Sequence, residues 1–281
     1  MALSITPLGK SLGAEVTGLN LSRPLSAADR NALTTAFLSH HLVCVRSEVL
    51  APNDFVRFGA NFGKLQPQLY RNRFHPDEPL VSVMRSALTS KQLARPDRIR
   101  VAGWHTDDSY FPEPCKATLL QAIELPATGG ATRFCNLKAA YEALDSTFQA
   151  HLTNLHAVHC YDTNRAHARA KDRTNKETQE TKNPAVHPIV RTHPDTGKKN
   201  LYLNFNRMDR ILELDQNESN AILDSLFAHI DQQRFHYHHI WQRGDILMWD
   251  NRCTMHAAVP DYEPGVMRLH HRILLRGEVP V

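Results

Sequence analysis

The chain has 281 residues and a mass of 31.9 kDa with a mean hydropathy of −0.43, and no apolar stretch approaches the roughly 20 residues of a membrane helix, which excludes a membrane-spanning protein. The net charge is only +4 and no basic stripe is interleaved with aromatic residues, so a nucleic-acid partner is not expected, whereas a small anionic substrate fits. Five widely spaced cysteines without a CxxC pair, and no secretory signal pattern at the start, predict a cytoplasmic location.

The first third of the chain contains two predicted helices among short strands. Residues 3–19 alternate apolar and polar side chains around glycines, which predicts strands and turns. The segment SAAD starting at Ser26 is similar to a capping box and predicts a helix. Residues 42–45 predict a short buried strand, and Asn53 is expected to cap a second helix that ends at Gly63.

The rest of the chain is dominated by strand-like runs and two long polar segments. Segments 66–103 and 161–185 are expected to form lids over an active site. A helical insert is predicted at 218–230. Strands are predicted at 117–125, 132–135, 157–161, 186–192, 201–203, 235–238, 245–249, 253–257 and 267–275. This pattern predicts a mainly β protein with flanking helices, a jelly-roll-like sandwich or barrel in one domain spanning 1–281.

The strongest local signal for chemistry is the segment Trp104-His105-Thr106-Asp107. In an extended strand His105 and Asp107 point to the same face. A further histidine would complete a 2-His-1-carboxylate triad for a divalent metal, leaving positions open for an oxoacid and dioxygen. His256, in the strand-like CTMHAA, is the candidate third ligand.

Other interpretations of these histidines remain open. An HxD pair is common, and the chain has 17 histidines. The cluster at 236–239 is the rival source of ligands, although its polar surroundings favour an exposed or edge strand. Trp249, close to His256 in sequence, is expected to pack beside it.

A second signal is a pair of arginines in the last predicted strand. Arg268 and Arg272 lie four residues apart and share a face of that strand, so both guanidinium groups are expected in one cavity. Buried cations are costly without anions, which a dicarboxylate cosubstrate and an acidic substrate would supply. The alternative is structural pairing with Asp245 or Asp261.

Seven segments occur in one order along most of the chain: ITPLGKSLGAEVTGLNL, FGKL, WHTDDSY, ELPATGGATRF, AAYEAL, HPIVRTHPDTGKK and GDILMWDNRCTMH. On these segments the chain resembles the taurine dioxygenase / 2,4-dichlorophenoxyacetate dioxygenase family of iron(II)- and 2-oxoglutarate-dependent enzymes. The resemblance implies a double-stranded β-helix, the jelly roll shared with cupins.

The resemblance also implies roles for individual residues. It implies three ligands for Fe(2+): His105, Asp107 and His256. Thr132 and Arg268 match residues that bind the distal carboxylate of 2-oxoglutarate. Arg272 matches an arginine that lies near this cosubstrate and pairs with the substrate anion. Because Asp107 is present, the resemblance favours hydroxylation over halogenation.

The residues around the substrate depart from the taurine enzymes. Gln68 stands where those enzymes carry a histidine, and 100–103 replaces an Asn-rich stretch, which argues against taurine as the substrate. Tyr110 replaces a phenylalanine and either lines the pocket or packs in the core. Asn204 lies in LYLNFNRM, together with Asn206 and Arg207, and this segment corresponds to one that approaches the pocket.

The leading hypothesis is therefore an iron- and 2-oxoglutarate-dependent dioxygenase that uses O2 and releases succinate and CO2. It would hydroxylate an unactivated C–H bond of a small anionic substrate: a sulfonate, sulfate ester, phenoxyalkanoate or related carboxylate. The resemblance implies a homodimer or homotetramer. The alternatives are the same iron chemistry used for desaturation or epimerisation of a natural product, and a zinc-dependent or non-catalytic cupin-like protein.

Overall fold

The computed structural model describes residues 3–67, 71–96, 99–161, 163, 165 and 183–281. Most of the expected lid at 161–185 lies outside the described residues, and Gln68 lies outside them as well. The other expected lid, 66–103, is described except for 68–70 and 97–98, and it contains regular structure.

Most of the described residues that form regular structure lie in short strands. Their bounds are β1 Ser4–Pro7, β2 Ala14–Thr17, β3 Leu42–Val45, β4 Leu65–Gln66, β5 Ser82–Ser86, β6 Ala117–Glu124, β7 Thr132–Asn136, β8 His156–His159, β9 Ala185–Pro188, β10 Val190–Thr192, β11 Lys199–Leu201, β12 Met208–Ile211, β13 His236–His239, β14 Ile246–Asp250, β15 Thr254–Ala258 and β16 Arg268–Leu275. The main sheet has the order β1-β2-β3-β14-β6-β16-β4, with β5 also paired to β16. Two three-stranded sheets, β13-β7-β15 and β12-β8-β9, and the pair β10-β11 complete the described sheets.

The helices of the described residues flank these sheets. Their bounds are α1 Ala27–His40, α2 Pro52–Gly59, α3 Ser90–Leu93, α4 Leu137–Glu142, α5 Ser146–Leu152 and α6 Gln216–Ile230. Ser26 caps α1 as its sequence predicts, because its side chain accepts a hydrogen bond from the backbone N–H of Asp29. Asp215 and Glu218 form a full capping box at the start of α6.

The alternation of side chains along β14 explains the layered core. Ile246 and Met248 pack in a cluster with apolar residues of α1 and α2, on the outer face of the main sheet. Leu247 and Trp249 point the other way, toward the sheet β13-β7-β15, where the Trp249 ring lies 5.4 Å from that of Phe134. The two sheets therefore enclose an apolar layer, and the mainly β jelly-roll prediction is confirmed.

Several local predictions were wrong for physical reasons. Helix α2 begins at Pro52 rather than after an Asn53 cap, because proline suits the first helical position, and the helix ends at Gly59 instead of Gly63. Helices α4 and α5 were missed, since six and seven residues are too few to display a helical period. Strand β12 was also missed.

As the sequence predicts, no helix of the described residues is long and apolar enough to cross a membrane.

Candidate functional site

The structure brings His105 and Asp107 together with His256, the central residue of β15. His105 is joined to His256 by two backbone hydrogen bonds, of 3.0 and 2.8 Å, which form an isolated bridge. One ligand atom from each of the three residues lies within 4.8 Å of the others. The expected strand over 104–107 is wrong, because extended pairing is limited to His105 and a turn begins at Asp107. The turn nevertheless delivers both side chains to one place.

The histidines present the forms that ligate metals. The Nδ1 atom of His105 lies 2.8 Å from the carbonyl oxygen of Gly103, which can only accept, so the neutral ring carries its proton on Nδ1 and its lone pair on Nε2. Burial, and then the neighbouring His105, lower the pKa of His256 to about 3. His256 is therefore available as a neutral imidazole at neutral pH, and His105 has Nε2 free of the contact that its Nδ1 makes with Gly103.

Asp107 is held as a carboxylate by its surroundings. Burial opposes its ionisation, but the combined effect of His256, Arg272 and other nearby groups lowers the pKa of Asp107 to about 2. Thr118 donates a hydrogen bond of 2.6 Å to Oδ2, and Asn251 in turn donates one of 2.9 Å to the Thr118 hydroxyl. Sequence reasoning missed both residues, since neither carries a local sign of its partner, and Asn251 lies 133 residues from Thr118 and 144 residues from Asp107.

Three groups among the described residues contain enough His, Cys, Asp or Glu to be considered as metal sites. In two of them the carboxylate already forms an ion pair with an arginine: Arg46 lies 2.6 Å from Asp245, and Arg252 lies 2.7 Å from Asp250. The third is the His105, Asp107 and His256 set, whose two imidazoles and one carboxylate suit iron(II). This donor set fits the metal that the resemblance implies.

The rival histidine cluster does not join this set. Strand β13 pairs with β7 alone among the described strands, so it is the edge strand that the sequence predicts. His239 is buried and its Nε2 lies 3.1 Å from Asp245, while the Nε2 of His236 lies 2.8 Å from the carbonyl of Ile230. Trp249 packs beside the site, with its ring 4.7 Å from His256.

Thr132 and Arg268 form a second polar group next to the sheet β13-β7-β15. Arg268 donates to the Thr132 hydroxyl at 3.1 Å and to the carbonyl of Gly130 at 2.9 Å. Trp241 also donates to the Thr132 hydroxyl, at 3.0 Å. Burial lowers the pKa of Arg268 to about 10, and within the described residues no carboxylate oxygen lies within 4.0 Å of its guanidinium. Asp261, which the sequence offered as an alternative structural partner for the arginines, instead accepts a hydrogen bond of 2.6 Å from the backbone N–H of Gly130.

Arg272 borders the cavity in front of the candidate iron ligands. Its Nη1 lies 3.8 Å from Oδ1 of Asp107, so its nearest carboxylate is neither Asp245 nor Asp261. The cavity measures about 80 Å³. Its lining residues are Arg73, Met84, Val101, His105, Thr106, Asp107, Asp108, Tyr110, Asn206, Arg207, Arg272 and Leu274. Arg268 is not among them, although the sequence placed both arginines in one cavity.

The remaining substrate candidates fall in different places. Tyr110 lines the cavity and donates to Asp108 at 3.1 Å. Asn204 is fully buried behind the cavity, where its amide donates to the Thr106 carbonyl at 2.7 Å and the Ser109 hydroxyl at 2.8 Å. Asn204 thus supports the loop that carries Asp107. Asp108 was missed as a lining residue, although it stands next to Asp107 in the sequence.

Known proteins resemble this chain over its whole length. An α-ketoglutarate-dependent sulfate ester dioxygenase of Pseudomonas putida is 32% identical, with 100% of this chain and 92% of the relative covered. The crystal structure of a taurine dioxygenase from Burkholderia xenovorans superimposes with a TM-score of 0.84 at 29% identity, covering 99% of this chain and 91% of that one. The structure of AAD-2 in complex with Mn(II) and N-oxalylglycine gives a TM-score of 0.82 at 28% identity, covering 100% and 99%.

The sequence profile described as "Taurine catabolism dioxygenase TauD, TfdA family" matches residues 4–276. These matches agree with the fold described above. The chain therefore belongs to the TauD/TfdA family and is an Fe(II)- and 2-oxoglutarate-dependent dioxygenase that uses O2.

Proposed function

We propose that this dioxygenase hydroxylates a C–H bond of a small anionic organic substrate, namely a sulfonate, a sulfate ester, a phenoxyalkanoate or a related carboxylate. The observation that carries the proposal is the guanidinium of Arg272, which borders the cavity 3.8 Å from Asp107. A cation in this position can hold a substrate anion next to the reacting centre. Relatives named as sulfate ester, sulfonate and phenoxypropionate dioxygenases support the same substrate class.

In this proposal three side chains hold the iron: His105, Asp107 and His256. Bound Fe(II) and 2-oxoglutarate supply the oxidative decarboxylation that couples O2 reduction to C–H hydroxylation, with succinate and CO2 as products. Thr118 keeps Asp107 oriented through its 2.6 Å hydrogen bond. The rings of Trp249 and Phe134, 4.7 and 6.2 Å from that of His256, exclude water from the buried side of the site.

Thr132 and Arg268 are proposed to bind the distal carboxylate of 2-oxoglutarate. The Thr132 oxygen accepts from both Arg268 and Trp241, so its own hydroxyl hydrogen is left to donate to a third group. A buried guanidinium without a carboxylate partner among the described residues gains most from an anion supplied by a ligand. Together they offer a charged and a neutral donor to one carboxylate.

The test is an anaerobic titration of Fe(II)-loaded protein with 2-oxoglutarate, followed by a panel of acids in the presence of O2. We expect a weak visible charge-transfer band from the keto-acid chelate and succinate formation with some acids. The variant His105→Ala should lose both to background while remaining folded by circular dichroism, because it lacks a metal ligand. His151→Ala, which removes an exposed histidine on α5, is the matched control. Unchanged turnover in His105→Ala would exclude this ligand set.

We also propose a cytoplasmic location and a homodimeric or homotetrameric assembly. All five cysteines are free thiols in the structure, which fits a reducing compartment. Light scattering of the purified protein measures the assembly directly, and a monomer at micromolar concentration would contradict this part of the proposal.

A further inference from the structure

A histidine lies between the two arginines on the inward face of the last strand. In β16, Arg268 donates to Thr132 on the facing strand β7, and Arg272 lies 3.8 Å from Asp107. Side chains alternate along a strand, and β16 pairs with β5 without a register shift from 268 to 272, so His270 shares the face of both arginines. It is about 7 Å along the strand from each of them. His270 therefore stands between the candidate cosubstrate group and the candidate iron ligands.

The His270 ring packs against that cosubstrate group. Its centroid lies 4.6 Å from that of Trp241, with the two rings edge to face at 71°. The Trp241 indole donates to the Thr132 hydroxyl at 3.0 Å, and the guanidinium carbon of Arg268 lies 6.0 Å from the Trp241 ring. His270 thus borders the donors that are proposed to bind the distal carboxylate of 2-oxoglutarate.

His270 is fully buried, and neither of its ring nitrogens has a hydrogen-bond partner among the described residues. The neighbouring strands supply no polar side chain at its register, since its Cα partners are Ala122 in β6 and Met84 in β5. Burial, and then the nearby Arg268, hold the pKa of His270 well below its ordinary value, so the neutral ring carries one N–H donor at neutral pH. A buried donor without a partner costs free energy, which a ligand that accepts its hydrogen bond restores.

A second histidine on the same indole shows that this situation is not general in the fold. The ring of His239 also packs edge to face on Trp241, at 4.8 Å. Its Nδ1 lies 3.1 Å from the Tyr237 hydroxyl, and its Nε2 lies 3.1 Å from the Asp245 carboxylate. Both nitrogens of His239 are therefore satisfied within the protein, whereas those of His270 are not satisfied by any described residue.

We infer that His270 donates its ring N–H to the distal carboxylate of 2-oxoglutarate, as a third donor beside Thr132 and Arg268. This inference rests on the proposed role of those two residues and adds a specificity-determining residue to it. A keto acid without the distal carboxylate would leave the buried N–H unsatisfied, and sites of this kind discriminate strongly against a ligand that lacks the hydrogen-bonding group. His270 therefore favours the keto dicarboxylate over a keto monocarboxylate of equal length.

A pair of keto acids tests the inference: 2-oxoglutarate and 2-oxopentanoate, whose carbon chain has the same length but ends in a methyl group. Dissociation constants are measured by anaerobic calorimetry on Fe(II)-loaded protein. His270→Phe keeps an aromatic ring against Trp241 but removes both nitrogens, so it should weaken 2-oxoglutarate binding by about tenfold and leave 2-oxopentanoate binding unchanged. His271→Phe is the matched control: His271 is the next residue, on the opposite face of β16, and its replacement should change neither constant.

Two results would overturn the inference. Equal weakening of both keto acids in His270→Phe would show that the ring acts only by packing on Trp241, and an unchanged constant for 2-oxoglutarate would show that it makes no contact. His270→Leu also lacks the nitrogens and replaces the phenylalanine variant if the larger ring prevents folding.

NMR of the histidine side chains supplies a readout on the wild-type protein, with Zn(II) in place of iron. The histidines at the metal should respond to both keto acids, whereas one buried ring N–H should move downfield with 2-oxoglutarate alone. The absence of any resonance that separates the two keto acids would contradict the inference.

Arg268→Met distinguishes a failure of this inference from a failure of the proposed function. If Arg268→Met weakens 2-oxoglutarate selectively but His270→Phe does not, the proposed function stands and the inference alone fails. If Arg268→Met leaves the constant for 2-oxoglutarate unchanged, the distal carboxylate is bound elsewhere, and the proposed role of Arg268 fails together with the inference.

Discussion

The orientation of Asp107 depends on single atoms of Thr118, which lies 11 residues away in sequence, and of Asn251, which lies 144 residues away. Thr118 donates to its Oδ2, and the side-chain oxygen of Asn251 accepts from its backbone N–H at 3.3 Å. Asn251 also accepts from the Trp249 indole at 3.1 Å, which ties the arrangement to the aromatic ring beside His256. An ionised carboxylate with one oxygen already bonded presents the other in a defined direction, which favours metal binding over an unrestrained side chain.

Removal of the Thr118 hydroxyl should therefore weaken metal binding. Thr118→Val keeps the shape of the side chain but loses the 2.6 Å bond to Asp107, and we expect the affinity for iron(II) to fall by about tenfold to a hundredfold. Metal titration under anaerobic conditions measures the change. Thr34→Val, which removes an exposed hydroxyl on α1, is the control. Equal affinities in the two variants would show that Thr118 does not orient the ligand.

Between β6 and β7, a turn of two glycines sets the position of Arg268. Gly129 and Gly130 have φ values of 75° and 71°, which favour glycine. The N–H of Gly130 is held by Asp261 at 2.6 Å, and its carbonyl accepts from Arg268 at 2.9 Å. A Cβ on Gly129 would lie 2.6 Å from the backbone oxygen of Asp261, so a side chain there displaces the turn.

Gly129→Ala should consequently lower the affinity for 2-oxoglutarate, by about tenfold if the turn no longer supports Arg268. Gly197→Ala is the matched control. Gly197 lies in the β10–β11 turn and has a similar φ of 67°, but a Cβ added there would meet no atom within 4 Å. Backbone strain should cost each variant about 1 kcal/mol of folding free energy, and the close approach to Asp261 adds a further loss in Gly129→Ala alone. Only Gly129→Ala should also change the dissociation constant, measured by calorimetry; equal constants would remove the turn from cosubstrate binding.

The strands could be predicted better than the loops that carry the chemistry. Alternation along β14 and β16 is local, and it put their bounds within one residue of the structure. The turn at Asp107 could not be predicted, because it depends on the bridge between His105 and His256, which are 151 residues apart. Thr118 and Asn251 are brought together by another long-range pairing, that of β6 with β14. The sequence could thus predict which residues meet, but not the geometry that orients them.

At the scale of the whole molecule, buried ionisable groups in several parts of the fold make its stability depend on pH. Burial lowers the pKa of His41 to about 4 and that of His187 to about 4, so both are neutral in the folded protein. Asp250 is buried between Arg252 and His193; burial opposes its ionisation, but the combined charges and hydrogen bonds of Arg252 and His193 hold the pKa of Asp250 below its ordinary value. All three groups bind fewer protons when folded than when unfolded.

This linkage predicts that the free energy of unfolding falls as the pH is lowered. For His41, stability is fully present above the unfolded pKa of 6.5 and is lost as the pH falls toward about 4, because only the unfolded chain takes up the proton in that window. Between pH 7.5 and 5.0 this one residue should account for about 1–2 kcal/mol. Asp250 adds its loss only below the ordinary carboxyl range, near pH 4.

Urea unfolding of metal-free protein at both pH values measures the slope. His41→Asn, which suits the φ of 62° at this position, should flatten the slope, whereas the exposed control His151→Asn should not. A His41→Asn slope equal to that of the wild type would mean that the buried His41 takes up its proton in the folded state as readily as in the unfolded chain.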